Sequence, residues 1–309
     1  MTILEILQSR DYASKNIIEK LLCHLLACTR TELFAHSDRI ISDEQLLRIQ
    51  HSYQAYTLHK QPLEYILGHV EFFNERFAVT PATLIPRPET EYMIQSILND
   101  TQSYDTLIDV GTWCGVLWLS VLMHSKQRFQ QAHLTDYSTD ALAVAKQNYT
   151  VKLTEHKIPP NSDTFSVAFV HSDLLTAPTL QQTLSSPTTH ILLVANLPYI
   201  PEETFENNVE DNVKKREPKM AFVWGDDGLD LYRSMFDQIL TYRWWSGAIA
   251  ANSWDQWPSL HAPKDWLVMY LEMMTRQVDI LKNEYTKNFH FEEVATFHFN
   301  IRIVKTTIL

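Results

Sequence analysis

A four-residue segment after an apolar run is the part of this chain best suited to chemistry on nitrogen. The run Ile191–Ala195 is typical of a buried strand, and Asn196-Leu197-Pro198-Tyr199 follows it directly. The side-chain oxygen of Asn196 and the carbonyl of Leu197 can both accept hydrogen bonds from an NH2 group, while Tyr199 packs on its flat face. Leu197 precedes a proline and is biased to an extended backbone, which directs its carbonyl away from the sheet. The segment indicates a site for a planar amide or amino group, although an ordinary turn after a strand explains it equally well when it is taken alone.

A second group of residues predicts a cradle for a nucleotide-like ligand. The predicted strand Thr106–Val110 leads into Gly111-Thr112-Trp113-Cys114-Gly115 and then into an apolar helical segment. Strand, glycine-bearing turn and helix present backbone N–H groups to a ligand. Asp136 ends a second predicted strand about twenty residues further on, where a ribose hydroxyl pair is usually bound. Asp173-Leu174 follows a third predicted strand, so the polar ends of several strands occur in one alternating α/β region.

Together these residues resemble a class I S-adenosylmethionine-dependent methyltransferase, and within that class the PrmC/HemK family. The Leu-Ile-Pro-Arg-Pro-Glu-Thr-Glu run at 84–91 is the most specific part of the resemblance, because generic fold physics does not require it. The segment 62–68, Glu217-Pro218 and the segment 225–233 are also similar to that family. The resemblance covers about residues 15 to 240. It implies transfer of a methyl group from S-adenosylmethionine to N5 of the glutamine in the Gly-Gly-Gln motif of peptide chain release factors, a reaction of translation termination.

The resemblance also implies roles for the residues already singled out. Asn196, Leu197, Pro198 and Tyr199 are then the catalytic segment, in which two oxygens hold the amide and the tyrosine walls the pocket. The 111–115 loop lies beneath the methionine part of the cofactor, Asp136 accepts from both ribose hydroxyls, and Asp173 borders the adenine. The complete cofactor-binding set implied in this way is Gly111, Thr112, Trp113, Cys114, Gly115, Asp136, Asp173, Leu174 and Asn196.

One residue departs from the family pattern inside the cofactor loop. Trp113 stands where the family carries a glycine, and small residues are expected there because the backbone must approach the ligand closely. The indole either blocks the methionine end of the site or swings outward and caps the pocket. Trp118 is likewise bulky where a small residue would pack the helix on the sheet. A non-catalytic binding protein on a methyltransferase scaffold is therefore kept as an alternative function.

The amino-acid composition further limits the classes of substrate and cofactor that the protein is expected to bind. The net charge is −11, with 26 Lys and Arg against 37 Asp and Glu, which argues against a nucleic-acid substrate because neutralising phosphates needs a basic face. A nucleic-acid adenine N6-methyltransferase stays as the second alternative, since an Asn-x-Pro-Tyr segment also holds an exocyclic adenine amine after base flipping. The three cysteines have no metal-ligand spacing, and no metal site is expected. We expect a cytoplasmic monomer that binds release factors and has no direct contact with nucleic acid or membrane.

The order of patterns along the chain predicts three parts. Residues 1–64 show helical spacing and are expected to form a small helical domain, with one helix starting at Ser42. The family resemblance implies that this domain recognises the substrate. Residues 65–89 are expected to form a β-hairpin around Asn74 and a Pro-rich linker. Residues 90–309 alternate strands and helices, which predicts a Rossmann-like methyltransferase domain with a mostly parallel, doubly wound sheet.

Two further features of the composition need a structural explanation. The chain has six glycines where average usage gives roughly twenty, so its left-handed turns are expected to use Asn, Asp or strained residues. Residues 241–270 are rich in tryptophan and favour a helix at the edge of the core followed by an irregular lid. A partner-binding surface is the alternative there, because tryptophan side chains are common at the centres of interfaces.

Overall fold

The structure is a computed structural model that describes residues 1–126, 129–155, 157–158, 162, 164–186, 189–251, 266–296 and 300–309. The chain divides into two compact units. The first comprises Met1–Val70 with Glu210–Arg216, and the second comprises Glu71–Val209 with Glu217–Leu309. Among the described residues, none of the helices has the length and apolar character needed to cross a membrane.

The helices fall into two groups that match these units. The helices of the described chain are α1 (Ile3–Gln8), α2 (Lys15–Leu26), α3 (Arg30–Ala35), α4 (Asp43–Thr57), α5 (Leu63–Leu67), α6 (Glu91–Asn99), α7 (Val116–His124), α8 (Thr139–Thr154), α9 (Pro178–Leu184), α10 (Glu202–Asn208), α11 (Asp211–Arg216), α12 (Asp230–Ala251) and α13 (Thr275–Tyr285). The first unit contains α1 to α5 and α11, and the second contains the others. Short 3-10 turns at Pro88–Thr90 and Lys219–Ala221 complete the helical content of the described residues.

The first unit is a helical assembly with its own apolar core. Along α2, Ile17, Ile18, Leu21 and Leu22 are buried at the spacing of one helix face. The helix predicted to begin at Ser42 is confirmed, because the Ser42 side chain accepts from the backbone of Gln45 and the Gln45 side chain accepts from the backbone of Ser42. This reciprocal arrangement is a capping box, which satisfies backbone N–H groups that a helix start leaves free.

The predicted hairpin around Asn74 is confirmed as β1 (His69–Phe72) and β2 (Glu75–Ala78). Its two-residue turn has positive φ at both positions, 50° at Phe73 and 61° at Asn74, as a type I′ turn requires. Glycine normally fills such positions. The expectation that non-glycine residues adopt left-handed backbone in this glycine-poor chain is therefore confirmed.

The second unit is built on one seven-stranded sheet. Its strands are β3 (Thr106–Val110), β4 (Gln131–Asp136), β5 (Ser166–His171), β6 (Ile191–Ala195), β7 (Leu267–Met274), β8 (Phe289–Thr296) and β9 (Ile301–Ile308). Their order across the sheet is β5-β4-β3-β6-β7-β9-β8. The first five are parallel, while β9 runs antiparallel to β7 and β8. The predicted mostly parallel, doubly wound sheet is confirmed.

This strand order fixes where a ligand site belongs. The chain winds outward from β3 to β4 and β5 in one direction, and then from β6 to β7 in the other. A parallel α/β sheet binds ligands at the carboxyl ends of the strands where the winding reverses. Every residue of β3 and of β6 is buried, which explains the continuous apolar sequence of β6 and the mostly apolar sequence of β3. The expected site therefore lies where these two strands end, at Gly111 and Asn196.

The tryptophan-rich interval is only partly described. Helix α12 extends to Ala251, which agrees with the helical part of the expectation, and Trp266 is buried at the start of β7. Trp254 and Trp257 lie outside the described residues, and so do the side chains of Trp244 and Trp245. Both readings of this interval, lid and partner surface, remain predictions.

Candidate active site

Strand register brings the polar residues of three strands together at one edge of the sheet. Ala195 at the end of β6 pairs with Val110 on one side and with Leu271 on the other. The residues that follow, Asn196 and Glu272, are therefore neighbours. The glycine turn after β3 lies on the opposite side of Asn196.

The amide of Asn196 is held in one orientation by a chain of hydrogen bonds. Its Nδ2 donates to Oγ1 of Thr90 at 3.1 Å, and the Thr90 hydroxyl donates to Oε2 of Glu272 at 2.8 Å. Thr90 and Glu272 are both buried, with exposures of 3% and 1%. Within the described residues, Oδ1 of Asn196 accepts no hydrogen bond. It is an acceptor left available for a ligand.

The backbone after Asn196 is fixed at both ends of the segment. The Leu197 N–H donates to the hydroxyl of Tyr232 at 3.3 Å, and that hydroxyl donates to the Glu272 carbonyl. The Gln277 side chain donates to the Tyr199 carbonyl at 2.6 Å. No donor among the described residues reaches the Leu197 carbonyl. This second free acceptor lies one residue from the first.

The Tyr199 ring is fixed by its hydroxyl, which donates to Oε1 of Glu272 at 3.0 Å. Burial raises the pKa of Tyr199 well above its ordinary value, and the neighbouring Glu272 charge raises it further. Burial also raises the pKa of the Glu272 carboxyl, while hydrogen bonds from Thr90 and Tyr199 oppose that rise. The phenol therefore stays protonated and directed at the carboxyl, which leaves the ring as a rigid wall.

The loop after β3 has the conformation of a ligand cradle. Gly111, Trp113 and Gly115 all have positive φ, at 69°, 50° and 82°. A Cβ on Gly115 would lie 2.8 Å from Nε1 of Trp118, so only glycine fits between this loop and helix α7. A Cβ on Gly111 would lie 3.1 Å from Cδ2 of Leu197, which shows that the loop and the Asn196 segment are in contact.

Asp136, the residue predicted to bind the ribose, contacts the backbone of this loop. Asp136 is 5% exposed, and its two carboxylate oxygens accept backbone hydrogen bonds from Trp113 at 2.9 Å and Ser138 at 2.8 Å. Burial raises the pKa of Asp136, and these hydrogen bonds oppose the rise. Asp173 is exposed, whereas Leu174 is buried with φ of 52°. Asp136 thus lies beside the cradle, and the cofactor roles of these residues remain predictions.

The two tryptophans that depart from the family pattern are both accommodated inside the protein. The Trp113 side chain is 8% exposed, so it does not swing out into solvent, and its Nε1 finds no hydrogen-bond partner among the described residues. Trp118 is completely buried, with its ring 5.5 Å from that of Tyr149 and 6.2 Å from that of Phe169. Trp118 therefore packs in an aromatic cluster instead of disrupting α7.

The Pro-rich run before α6 is anchored by a buried acid. Nη2 of Arg87 contacts Oε1 of Glu217 at 2.7 Å, and the Ile85 N–H donates to Oε2 of the same carboxylate at 3.2 Å. The Arg87 guanidinium also lies 5.6 Å from the centre of the Phe222 ring. These contacts hold in place the segment that ends at Thr90, and therefore the hydroxyl that bonds Asn196.

Asn148 of α8 links the cradle to the end of the hairpin. Its Nδ2 donates to the carbonyls of Cys114 at 2.8 Å and Ala78 at 3.0 Å, and its Oδ1 accepts from the Ala78 N–H at 2.7 Å. Asn148 is 3% exposed. A side chain that satisfies three buried backbone groups is difficult to replace.

We expect Asn148→Ala to lower the free energy of unfolding by about 2 to 3 kcal/mol, because two carbonyls and one N–H lose their partner. Urea unfolding followed by circular dichroism measures this change. Gln147→Ala is the matched control, since Gln147 is the exposed neighbour on the same helix and should change stability by less than about 0.5 kcal/mol. Equal effects of the two substitutions would contradict the assigned role.

Asp109 is a buried acid within β3, and burial raises its pKa to about 7. The Thr112 hydroxyl donates to its Oδ2 at 2.7 Å, which opposes the rise. The folded protein thus keeps a proton that the unfolded chain releases near pH 4. Between about pH 4 and pH 7 the unfolded state binds fewer protons than the folded state, so this residue makes stability fall as the pH rises.

Asp109→Asn removes this titration. We expect the stability of the variant relative to wild type to increase by at least about 1 kcal/mol from pH 4.5 to pH 7. The free energy of unfolding is measured with urea for both proteins at several pH values. Subtracting one from the other cancels the contributions of groups that titrate alike in both. A difference that is independent of pH would show that Asp109 ionises normally in the folded protein.

Four residues of the site were not found from the sequence: Thr90, Tyr232, Glu272 and Gln277. Glu272 does leave a local signal, because it is the only charged residue in the strand Leu267–Met274. A lone carboxylate in a buried strand needs polar partners. Thr90 lies within the specific run 84–91, but nothing local shows that its hydroxyl meets a residue 182 positions later.

Comparisons with known proteins identify the family of the chain. The PrmC N-terminal domain family matches residues 5–68. The release factor glutamine methyltransferase of Bacillus anthracis is 31% identical over 236 residues, covering 73% of this chain and 74% of that protein. The protein of the same name from Koribacter versatilis is 30% identical over 238 residues, covering 75% and 77%. A methyltransferase structure from Pyrococcus furiosus superposes with a TM-score of 0.45 at 9% identity, over 86% of this chain and 98% of that one. The chain belongs to the release factor glutamine methyltransferase family.

Proposed function

We propose that this protein transfers a methyl group from S-adenosylmethionine to the side-chain amide nitrogen of the glutamine in the Gly-Gly-Gln motif of peptide chain release factors. One observation carries the proposal: the Asn196 amide is turned so that its oxygen is free, beside the free carbonyl of Leu197. Two neighbouring acceptors match the two N–H bonds of a carboxamide. Membership of the family supports the same substrate. We further propose that the helical first unit recognises the release factor.

The residues around the cradle fit the proposed cofactor. The loop 111–115 offers left-handed backbone and glycines where a Cβ would collide with neighbours. Asp136 supplies a carboxylate at the end of β4, and the buried indole N–H of Trp113 has no partner among the described residues. When bound, S-adenosylmethionine supplies a methyl group already activated by the positive charge on sulfur. The loop would hold its methionine part, Asp136 its ribose, and Asp173 with Leu174 its adenine.

The task of the protein residues is then positioning. A carboxamide nitrogen is a poor nucleophile because its lone pair is delocalised into the carbonyl. Asn196 Oδ1 and the Leu197 carbonyl would hold both amide protons and so orient the nitrogen toward the methyl donor. The same oxygens would stabilise the positive charge that develops on the nitrogen as it takes the methyl group, the S–C bond of the sulfonium breaks and a neutral thioether is left. The surplus proton leaves to water, and Tyr199 limits the movement of the amide plane.

Two acceptors could also hold the exocyclic amine of adenine, so the substrate class needs a direct test. Purified protein is incubated with methyl-labelled S-adenosylmethionine and one of three substrates: a release factor, the same factor with its Gly-Gly-Gln glutamine replaced by alanine, or duplex DNA. We expect label in the first alone. Label in the DNA, or equal label in the alanine variant, would overturn the proposal. A calorimetric titration that detects no binding of S-adenosylmethionine would instead favour a non-catalytic scaffold.

A further inference from the structure

Glu272 is a buried carboxyl that the proposed chemistry does not use directly. It is 1% exposed, lies in β7 beside Asn196 by strand register, and accepts from the hydroxyls of Thr90 and Tyr199. A carboxylate has only acceptor sites. Both hydroxyl hydrogens therefore point toward it, and neither is available to any other acceptor.

This arrangement decides which end of the Asn196 amide faces Thr90. Because the Thr90 hydrogen is committed to Glu272, the Thr90 oxygen can only accept, and it accepts from Nδ2 of Asn196 at 3.1 Å. If the amide were turned over, Oδ1 would face an oxygen with no hydrogen to offer, next to a carboxylate. The two orientations of a carboxamide have the same shape, so this hydrogen-bond chain is what distinguishes them.

We propose that Glu272 and Thr90 are positioning residues that set the polarity of the substrate clamp, by holding Asn196 with its oxygen outward so that the site selects an amide N–H donor over a carboxylate. The inference rests on the proposed function and deepens it. With Asn196 turned over, the clamp would offer one donor and one acceptor and would no longer match an NH2 group. Specificity for glutamine over glutamate thus originates in two residues that orient Asn196 but do not touch the substrate themselves.

Three substitutions separate this role from simple packing. Glu272→Gln keeps the shape but adds an NH2 donor that can satisfy the Thr90 oxygen and release its hydrogen. Thr90→Val removes the hydroxyl at nearly constant volume, and Thr90→Ser retains it. Glu292→Gln is the matched control, since Glu292 is exposed on the edge strand β8. If Glu272→Gln fails to fold, Thr90→Val still tests the positioning role.

The first measurement is methylation of a release factor, with kcat, KM and the dissociation constant of S-adenosylmethionine determined for each variant. We expect kcat to fall about 10- to 100-fold in Glu272→Gln and Thr90→Val, with far smaller changes in cofactor binding. Thr90→Ser should recover most of the turnover, and the control should match wild type. The second measurement is competition by a release factor carrying glutamate in place of the glutamine. Its disadvantage relative to the glutamine form should shrink in Glu272→Gln and Thr90→Val only.

A third measurement does not depend on turnover. The side-chain NH2 signal of Asn196 in a 15N-labelled sample, assigned by its absence in Asn196→Ala, should show one strongly hydrogen-bonded proton in wild type and Thr90→Ser, and lose it in Thr90→Val. Wild-type protein that shows this signal but never methylates a release factor would refute the proposed function alone. Methylation that proceeds with unchanged kcat and unchanged discrimination in both Glu272→Gln and Thr90→Val would refute the positioning role. Equal losses in Thr90→Ser and Thr90→Val would also refute it.

Discussion

Asn196→Ala is expected to reduce kcat for release-factor methylation by about 100- to 1000-fold, because both the charge-stabilising oxygen and the orientation of the substrate amide are lost. The dissociation constant of S-adenosylmethionine should change far less, since the cradle after β3 is built from other residues. Initial rates with methyl-labelled cofactor give kcat, and isothermal titration calorimetry gives the affinity.

Asn207→Ala is the matched control for this variant, because Asn207 is an exposed asparagine on α10. It should leave both constants near their wild-type values. The role assigned to Asn196 fails if its replacement lowers turnover and cofactor affinity by the same factor, since that pattern would describe a general collapse of the site.

Gly228→Ala is expected to lower the free energy of unfolding by about 2 to 4 kcal/mol and to reduce methyl transfer as well. Gly228 has φ of 75°, and a Cβ there would lie 2.2 Å from the carbonyl oxygen of Tyr199 and 2.8 Å from Nε2 of Gln277. The Tyr199 backbone and the Gln277 side chain cannot move away from the added Cβ without breaking the hydrogen bond that joins them. The catalytic segment itself would have to shift.

Gly68→Ala separates the backbone strain in Gly228→Ala from its steric clash with Tyr199 and Gln277. Gly68 has nearly the same φ, 73°, but nothing lies within 4 Å of an added Cβ. Its replacement should cost about 1 kcal/mol from backbone strain alone. Urea unfolding of both variants gives the loss of unfolding free energy for each. Similar losses for the two would mean that the Tyr199 contact adds nothing.

The sequence predicted the strands and the catalytic segment because each depends on local information. A strand buried on both faces is mostly or wholly apolar, so β3 and β6 and the polar residues that follow them could be identified directly. The parallel order followed from the alternation of strands and helices. Gly111 and Asn196 could then be assigned to one edge of the sheet without coordinates.

The network behind the catalytic segment could not be predicted in the same way. Thr90, Asn196 and Glu272 meet only because β6 and β7 pair in one register and the Pro-rich run is anchored at Glu217. Such contacts depend on long-range packing, which hydrophobic periodicity does not encode. The same limit applies to Trp113, since its residue type shows that it is bulky but not that its ring turns into the protein.

The alignment of Ala195 with Val110 and Leu271 has a consequence for how this protein can change during evolution. Exchange of one apolar residue for another within these strands leaves the spacing of the catalytic groups intact. Deletion of a single residue from β6 would instead turn Asn196 to the other face of the sheet, away from Thr90. Variation among descendants of this chain should therefore concentrate in substitutions and in surface connections of variable length, while the number of residues in the three central strands stays constant.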